Sequence, residues 1–210
     1  MDIRTKEAVR YLGYGRHAID EQTLEFVQDS FQELERVTDA RFVYRIFEII
    51  EENENELTIG GIRIQSKNLC KNLKNCKHGI VFCATLGTSV DLLLKRYSVS
   101  DMSKTVVLQA CAAAFLEEYC DRMQKQIEDG LENGLYLRPR FSPGYGDFSI
   151  LHQKELLQMT DASKKSNSFP KRSRNIILTP SVDAIFFCTH FASLYSTISG
   201  FTTDSHHRSD

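Results

Sequence analysis

The sequence predicts an α+β domain in which a mixed, largely antiparallel sheet is surrounded by helices. Three stretches carry that expectation. Gly79-Ile80-Val81-Phe82-Cys83-Ala84-Thr85 is an almost unbroken apolar run, which suits a strand buried on both faces. Leu57-Thr58-Ile59 and Ile62-Arg63-Ile64 flank Gly60-Gly61, the signature of a tight hairpin and so of antiparallel pairing. Residues 101–129 carry apolar side chains at i+4 (Val107, Cys111, Phe115, Tyr119, Met123, Ile127), which makes them one long helix.

Length and composition bound the rest. A chain of 210 residues, 41% hydrophobic and 26% charged, can bury one real core and is expected to be soluble and globular. We place the domain at residues 1–201 and read 202–210 as a polar, mobile tail. A net charge of −2 argues against a general nucleic-acid binder. No apolar run approaches the roughly 20 residues that cross a membrane, and the first residues lack the apolar centre of a signal peptide. Cys70, Cys76, Cys83, Cys111, Cys120 and Cys188 lack close paired spacing, and several sit in apolar runs. They read as reduced thiols of a cytoplasmic protein.

The elements follow in order. Residues 4–12 form a short helix. Asp20 caps a second helix over 21–37, with Glu21 in its first turn and Leu24, Val27, Phe31 and Leu34 on its apolar face. Arg41–Phe47 has strand composition. Glu51–Glu56 reads as a solvated acidic loop. The hairpin comes next, then a helix over 66–74. The strand 79–85 ends at Leu86-Gly87-Thr88-Ser89, where Thr88 and Asp91 are expected to cap a helix through Tyr97. A glycine turn opening a helix is also an anion-binding arrangement, although one glycine is weak support.

On the long helix, Ala110, Ala112, Ala113 and Ala114 keep the middle slim, chiefly for core packing. Where they end, one of Glu117 and Glu118 is expected to be solvated and the other to face a pocket. Residues 148–159 suggest another helix and Asp161 to Asn175 a linker. That linker carries Lys164, Lys165, Lys171, Arg172 and Arg174, a solvated basic loop or a docking surface for an acidic partner. Residues 175–179 and 182–187 read as two further strands.

Chemistry concentrates in Leu137-Arg138-Pro139-Arg140-Phe141-Ser142-Pro143-Gly144-Tyr145-Gly146-Asp147-Phe148. Each proline holds the residue before it extended, and Pro143-Gly144 predicts a type II turn with positive φ at the glycine. An arginine four residues before the glycine and a tyrosine after it suit a small zwitterion with a flat ring: a guanidinium forks onto a carboxylate, and an aromatic face holds the ring. The plainer reading is a structural turn with solvent-facing arginines. No phosphate-binding or dinucleotide glycine motif is present. His78 and Cys83 fall on opposite faces of one strand, a poor nucleophile–base pair, and Cys70, Cys76 and His78 match no common zinc spacing.

Arg140-Phe141-Ser142-Pro143-Gly144-Tyr145 resembles the Arg-x-x-x-Gly-Tyr signature of the activation (reactivation) domain of cobalamin-dependent methionine synthase. Arg10–Tyr14, Phe82–Gly87 and Thr179–Val182 resemble other parts of that domain in the same order, over roughly residues 5–187. The resemblance implies a curved, C-shaped version of the fold. It also implies that Arg140, Ser142, Gly144, Tyr145 and Glu117 bind S-adenosylmethionine, with no catalytic residue and no metal in this chain. Cobalamin would be carried by a partner, a corrinoid-binding methionine synthase chain, reactivated in trans with an electron from a flavodoxin-like donor. The domain would be an accessory component rather than a self-contained enzyme. The family's acidic residue near the start falls at Gly13, and a glutamate of its long helix falls at Ala113, with Glu117 one turn later. Two other readings stay open: a reactivating partner of another corrinoid methyltransferase, and an interaction module whose pocket has decayed.

Overall fold

Helix starts are set by side chains that accept the first free N–H groups. In this computed structural model, which describes residues 1–14, 19–131 and 135–161 and the course of the backbone over 182–191, Asp2 accepts from Thr5 N at 2.8 Å and opens α1 (Ile3–Tyr11). Asp20 does the same for Thr23 N and opens α2 (Glu21–Val37), as expected. Ser66 caps α3 (Lys67–Asn72), and Asp101 caps α5 (Met102–Asp129). Between them, α4 (Thr88–Ser100) starts differently. Thr88 is already helical and makes no cap; the N-cap is Gly87 at φ 97°, with no side-chain bond. A Cβ at Gly87 would lie 3.1 Å from the Asp39 carbonyl oxygen, and Asp39 N–H donates to Leu86 O. The glycine is there so that the link after α2 can pass close, which corrects the expected Thr88 cap.

The strands form one 6-stranded sheet in the order β3-β2-β1-β4-β6-β5. These are β1 (Arg41–Asn53), β2 (Glu56–Ile59), β3 (Ile62–Gln65), β4 (His78–Thr85), β5 (Leu135–Leu137) and β6 (Val182–Phe191). Every pairing among the described residues is antiparallel. Gly60 and Gly61 both take positive φ, 54° and 84°, as a primed two-residue hairpin requires. The acidic loop is corrected: β1 runs through it to Asn53. Glu52 accepts from the Thr58 hydroxyl across the strands, and Glu51 accepts from Asn75 N, so the carboxylates decorate a strand. The segment after the loop is a 3-10 turn (Ile150–His152) followed by α6 (Gln153–Met159), where one helix over 148–159 was expected. The last strand is as expected but longer. The strand 175–179, the basic linker and the tail lie outside the described residues.

Alternation along β4 divides the core in two. Ile80, Phe82 and Ala84 face a cluster built with α1, α2, α4 and α5, in which Phe31, Leu34, Leu108 and Cys111 are buried. Val81 and Cys83 face a smaller cluster with Ile59, Leu69, Phe141, Phe148 and Leu156. The slim middle of α5 serves packing: Ala110, Ala112 and Ala114 are buried, and α1 lies against this helix. Cys70, Cys83, Cys111 and Cys120 carry reduced thiols, and burial pushes Cys111 up to about 12. Cys76 is disulfide-bonded, contrary to the expectation of reduced cysteines throughout. Spacing along the chain does not reveal a partner that folding brings in. No helix among the described residues is long and apolar enough to cross a membrane.

Candidate functional site

The loop after β5 is anchored from three sides before any ligand is considered. Ser142 O accepts from Tyr145 N at 3.1 Å and Gly144 has φ 92°, the expected turn. Gly144 N donates to Phe148 O at 2.7 Å, closing the loop on itself. Phe141 and Phe148 are buried in the second cluster and stack with centroids 6.3 Å apart. Asp147 then reaches α3, where its carboxylate accepts from Ser66 Oγ at 2.5 Å, Lys67 N at 2.8 Å and Asn68 N at 3.2 Å. The Ser66 hydroxyl and those backbone N–H groups hold its carboxyl below the usual carboxylate value. Asn72 Nδ2 donates to Pro139 O at 3.3 Å, and a Cβ at Gly146 would strike the Asn68 amide. The aromatic–proline–glycine composition thus makes a rigid platform, with Tyr145 standing 69% exposed at its tip, edge-on to Phe141.

Arg140 leaves this platform toward α5. Its guanidinium donates to Glu117 Oε2 at 2.7 Å and Gln124 Oε1 at 3.2 Å, and it pairs closely with Asp121. Its side chain is only 18% exposed. Burial works against its charge, yet the Asp121 and Glu117 carboxylates outweigh that and hold its pKa above the ordinary guanidinium value. Glu118 turns away, 3.6 Å from Arg4. Of the two expected glutamates, Glu117 is therefore the one at the pocket.

These groups enclose a cavity of about 600 Å³ between the loop, α3 and α5. Arg140, Ser142, Tyr145 and Glu117 line it together; Gly144 does not line it and instead shapes the turn beneath Tyr145. Asp121, Gln124 and Asn72 also line it and were not singled out from sequence. Asp121 and Gln124 follow Glu117 by four and seven residues, one face of a helix, so that spacing could have found them. Nothing in the sequence points to Asn72. A second cavity of about 630 Å³ lies between α1 and α5, floored by Ala114, and shares Glu117 and Asp121 with the first. Chemically the site is a polar cleft with one cation, two carboxylates, two amides and an exposed phenol. Among the described residues no His, Cys, Asp and Glu group could hold a metal ion.

Comparison with known proteins adds a fold. The chain is similar to the crystal structure of the MetH reactivation domain bound to AdoHcy, with a TM-score of 0.54 and 13% sequence identity over 91% of this chain and 76% of that one. No protein-family profile and no curated protein matches the sequence. The fold is therefore that of the methionine synthase reactivation domain.

Proposed function

We propose that this domain binds S-adenosylmethionine in the cleft beside Arg140 and presents it to a corrinoid carried by a separate methionine synthase chain. The observation that carries the reading is the joint lining of one cavity by Arg140, Ser142, Tyr145 and Glu117. Its charges suit the ligand. Glu117, Asp121 and Arg140 sum to −1, and S-adenosylmethionine, with sulfonium, ammonium and carboxylate, carries +1. The ligand's carboxylate would take the guanidinium fork of Arg140. That frees Glu117 for the ligand's ammonium and leaves the exposed Asp121 to solvent, so no buried charge is stranded. Tyr145 offers its exposed ring to the adenine. S-adenosylmethionine supplies an electrophilic methyl group, which, with one electron from a flavodoxin-like donor, would return an oxidised corrinoid to its methylated state. This chain's residues hold and orient that ligand; the corrinoid belongs to the partner.

A second reading is favoured by one feature: Arg140 is already engaged by the chain's own carboxylates, as in an interaction module with a decayed pocket. Calorimetry separates the two. S-adenosylmethionine is expected to bind, and Arg140→Ala to weaken it by about 2–4 kcal/mol, the range for removing one partner of a desolvated charge pair. Equal affinities for the two proteins would assign Arg140 to structure, and no binding to the native chain would favour the decayed pocket. Spectral recovery of an oxidised corrinoid synthase lacking its own reactivation domain then tests the trans role.

A further inference from the structure

Besides the outer edges of β3 and β5, part of an inner strand is unpaired on one side among the described residues. β2 joins β1 only from Ile49 onward, while β4 pairs the other side of β1 from Arg41 to Glu48. Over residues 41–47, no strand among the described residues pairs with the second edge of β1. The direction of its hydrogen-bonding groups follows from one contact. Ile49 N donates to Lys77 O at 2.9 Å, on the β4 side. Alternation then aims the N–H and C=O groups of the odd residues at β4 and those of Phe42, Tyr44 and Ile46 outward. An open edge of this kind is a template for another strand.

We infer that the edge of β1 pairs with the same edge of a second copy of this chain, antiparallel and two-fold symmetric about Tyr44. The side chains select both the occupant and the register. A two-fold pairing of a strand with itself places residue i opposite j with i + j constant and even, because both must face the same side. The open stretch runs from Arg41 to Phe47, and its midpoint is Tyr44. Centring there sets Tyr44 against Tyr44 and Phe42 against Ile46. Each of these pairs has outward-facing backbone groups, so up to about six new hydrogen bonds close the edge. On the same face, Phe42 and Tyr44 already stack at 6.2 Å, and Tyr44 and Ile46 stand 41% and 56% exposed. Pairing turns these exposed residues into a continuous apolar ladder across the two copies. On the opposite face, Val43 meets Arg45 and Arg41 meets Phe47, so no like charges face each other. Moving the centre to Arg45 puts Arg45 against Arg45 and drives the partner strand into the place β2 occupies at Ile49. Moving it to Val43 puts Arg41 against Arg45. Only the Tyr44-centred register fills the open edge without like-charge repulsion.

The inference is independent of the ligand reading. Sedimentation equilibrium of the full chain over a wide concentration series is expected to show a monomer–dimer equilibrium. Ile46→Lys, at an exposed position that the fold tolerates, is expected to weaken the dimer at least tenfold while the circular dichroism melt stays cooperative. Register is read by mild oxidation: Tyr44→Cys is expected to form a covalent dimer faster than the parent chain, and Arg45→Cys not to. A monomer at every concentration overturns the inference. So does a dimer indifferent to Ile46→Lys, or a covalent dimer from Arg45→Cys as fast as from Tyr44→Cys.

Discussion

Arg140 and Asp147 do different work within eight residues of each other. Arg140 is a charge held in reserve: three side chains of α5 keep its fork oriented toward the cavity. Of its two carboxylate partners, Asp121 is the more exposed, at 69% against 38%, and so is the better placed to let go. Under the exchange of ion pairs proposed above, Asp121 competes with the ligand and Glu117 serves it. Asp121→Asn is therefore expected to tighten S-adenosylmethionine binding several-fold and Glu117→Gln to loosen it, both measurable by titration calorimetry; the reverse order would exchange their roles. Asp147 instead secures the platform. Its carboxyl is lowered in the folded state, so the ionised form is the one folding favours. Its stabilisation is full above the unfolded value near 3.8 and is lost as pH falls through the lower folded value. The melting-temperature gap between the native chain and Asp147→Asn should hold steady near neutrality and close only on the acid side of that window.

At the scale of elements, the β2–β3 hairpin offers a clean comparison of two adjacent glycines. Both need positive φ, and Ala costs about 1 kcal/mol or more in such a position. They differ in surroundings: a Cβ at Gly61 meets nothing within 4 Å, while one at Gly60 would meet Met159 Cε at 2.4 Å and Phe47 Cδ1 at 2.9 Å. Gly60→Ala is expected to destabilise more than Gly61→Ala in urea denaturation, since the hairpin must lift from α6. The turn itself was legible because Gly-Gly between strand-like triplets is a local signal. Asp20 as a cap was legible for the same reason. What stayed hidden was non-local. The cause of Gly87 is the backbone of Asp39, far away in sequence. Glu51 and Glu52 read as a loop because their charges hide the strand that β2 completes. In the site, Arg140 and Tyr145 are visible in one twelve-residue run, but Asp121, Gln124 and Asn72 join them only because α5 and α3 lie alongside the loop.

For the whole molecule, the order of strands decides what can be removed. β5 does not touch β4; β6, from the far end of the chain, lies between them and pairs with both. The loop that carries Arg140 and Tyr145 leaves directly from β5, so its seat depends on a strand that begins some twenty residues after α6. β4, the strand on which both core clusters rest, would also lose one of its two neighbours without β6. An open row of backbone groups would then run along the most apolar strand of the protein, a pairing and aggregation hazard. A chain ending at Asp161 is therefore expected to lose cooperative thermal unfolding, and with it S-adenosylmethionine binding, even though every residue assigned to the cleft is still present. A chain ending at Phe201, the boundary expected from the polar composition beyond it, is expected to unfold cooperatively at the native temperature and to bind as the full chain does. Circular dichroism melts and calorimetry on the two shortened chains check both. Cooperative melting of the shorter one would mean that the helices and the first four strands fold as an autonomous unit, with β6 an addition to it rather than its centre.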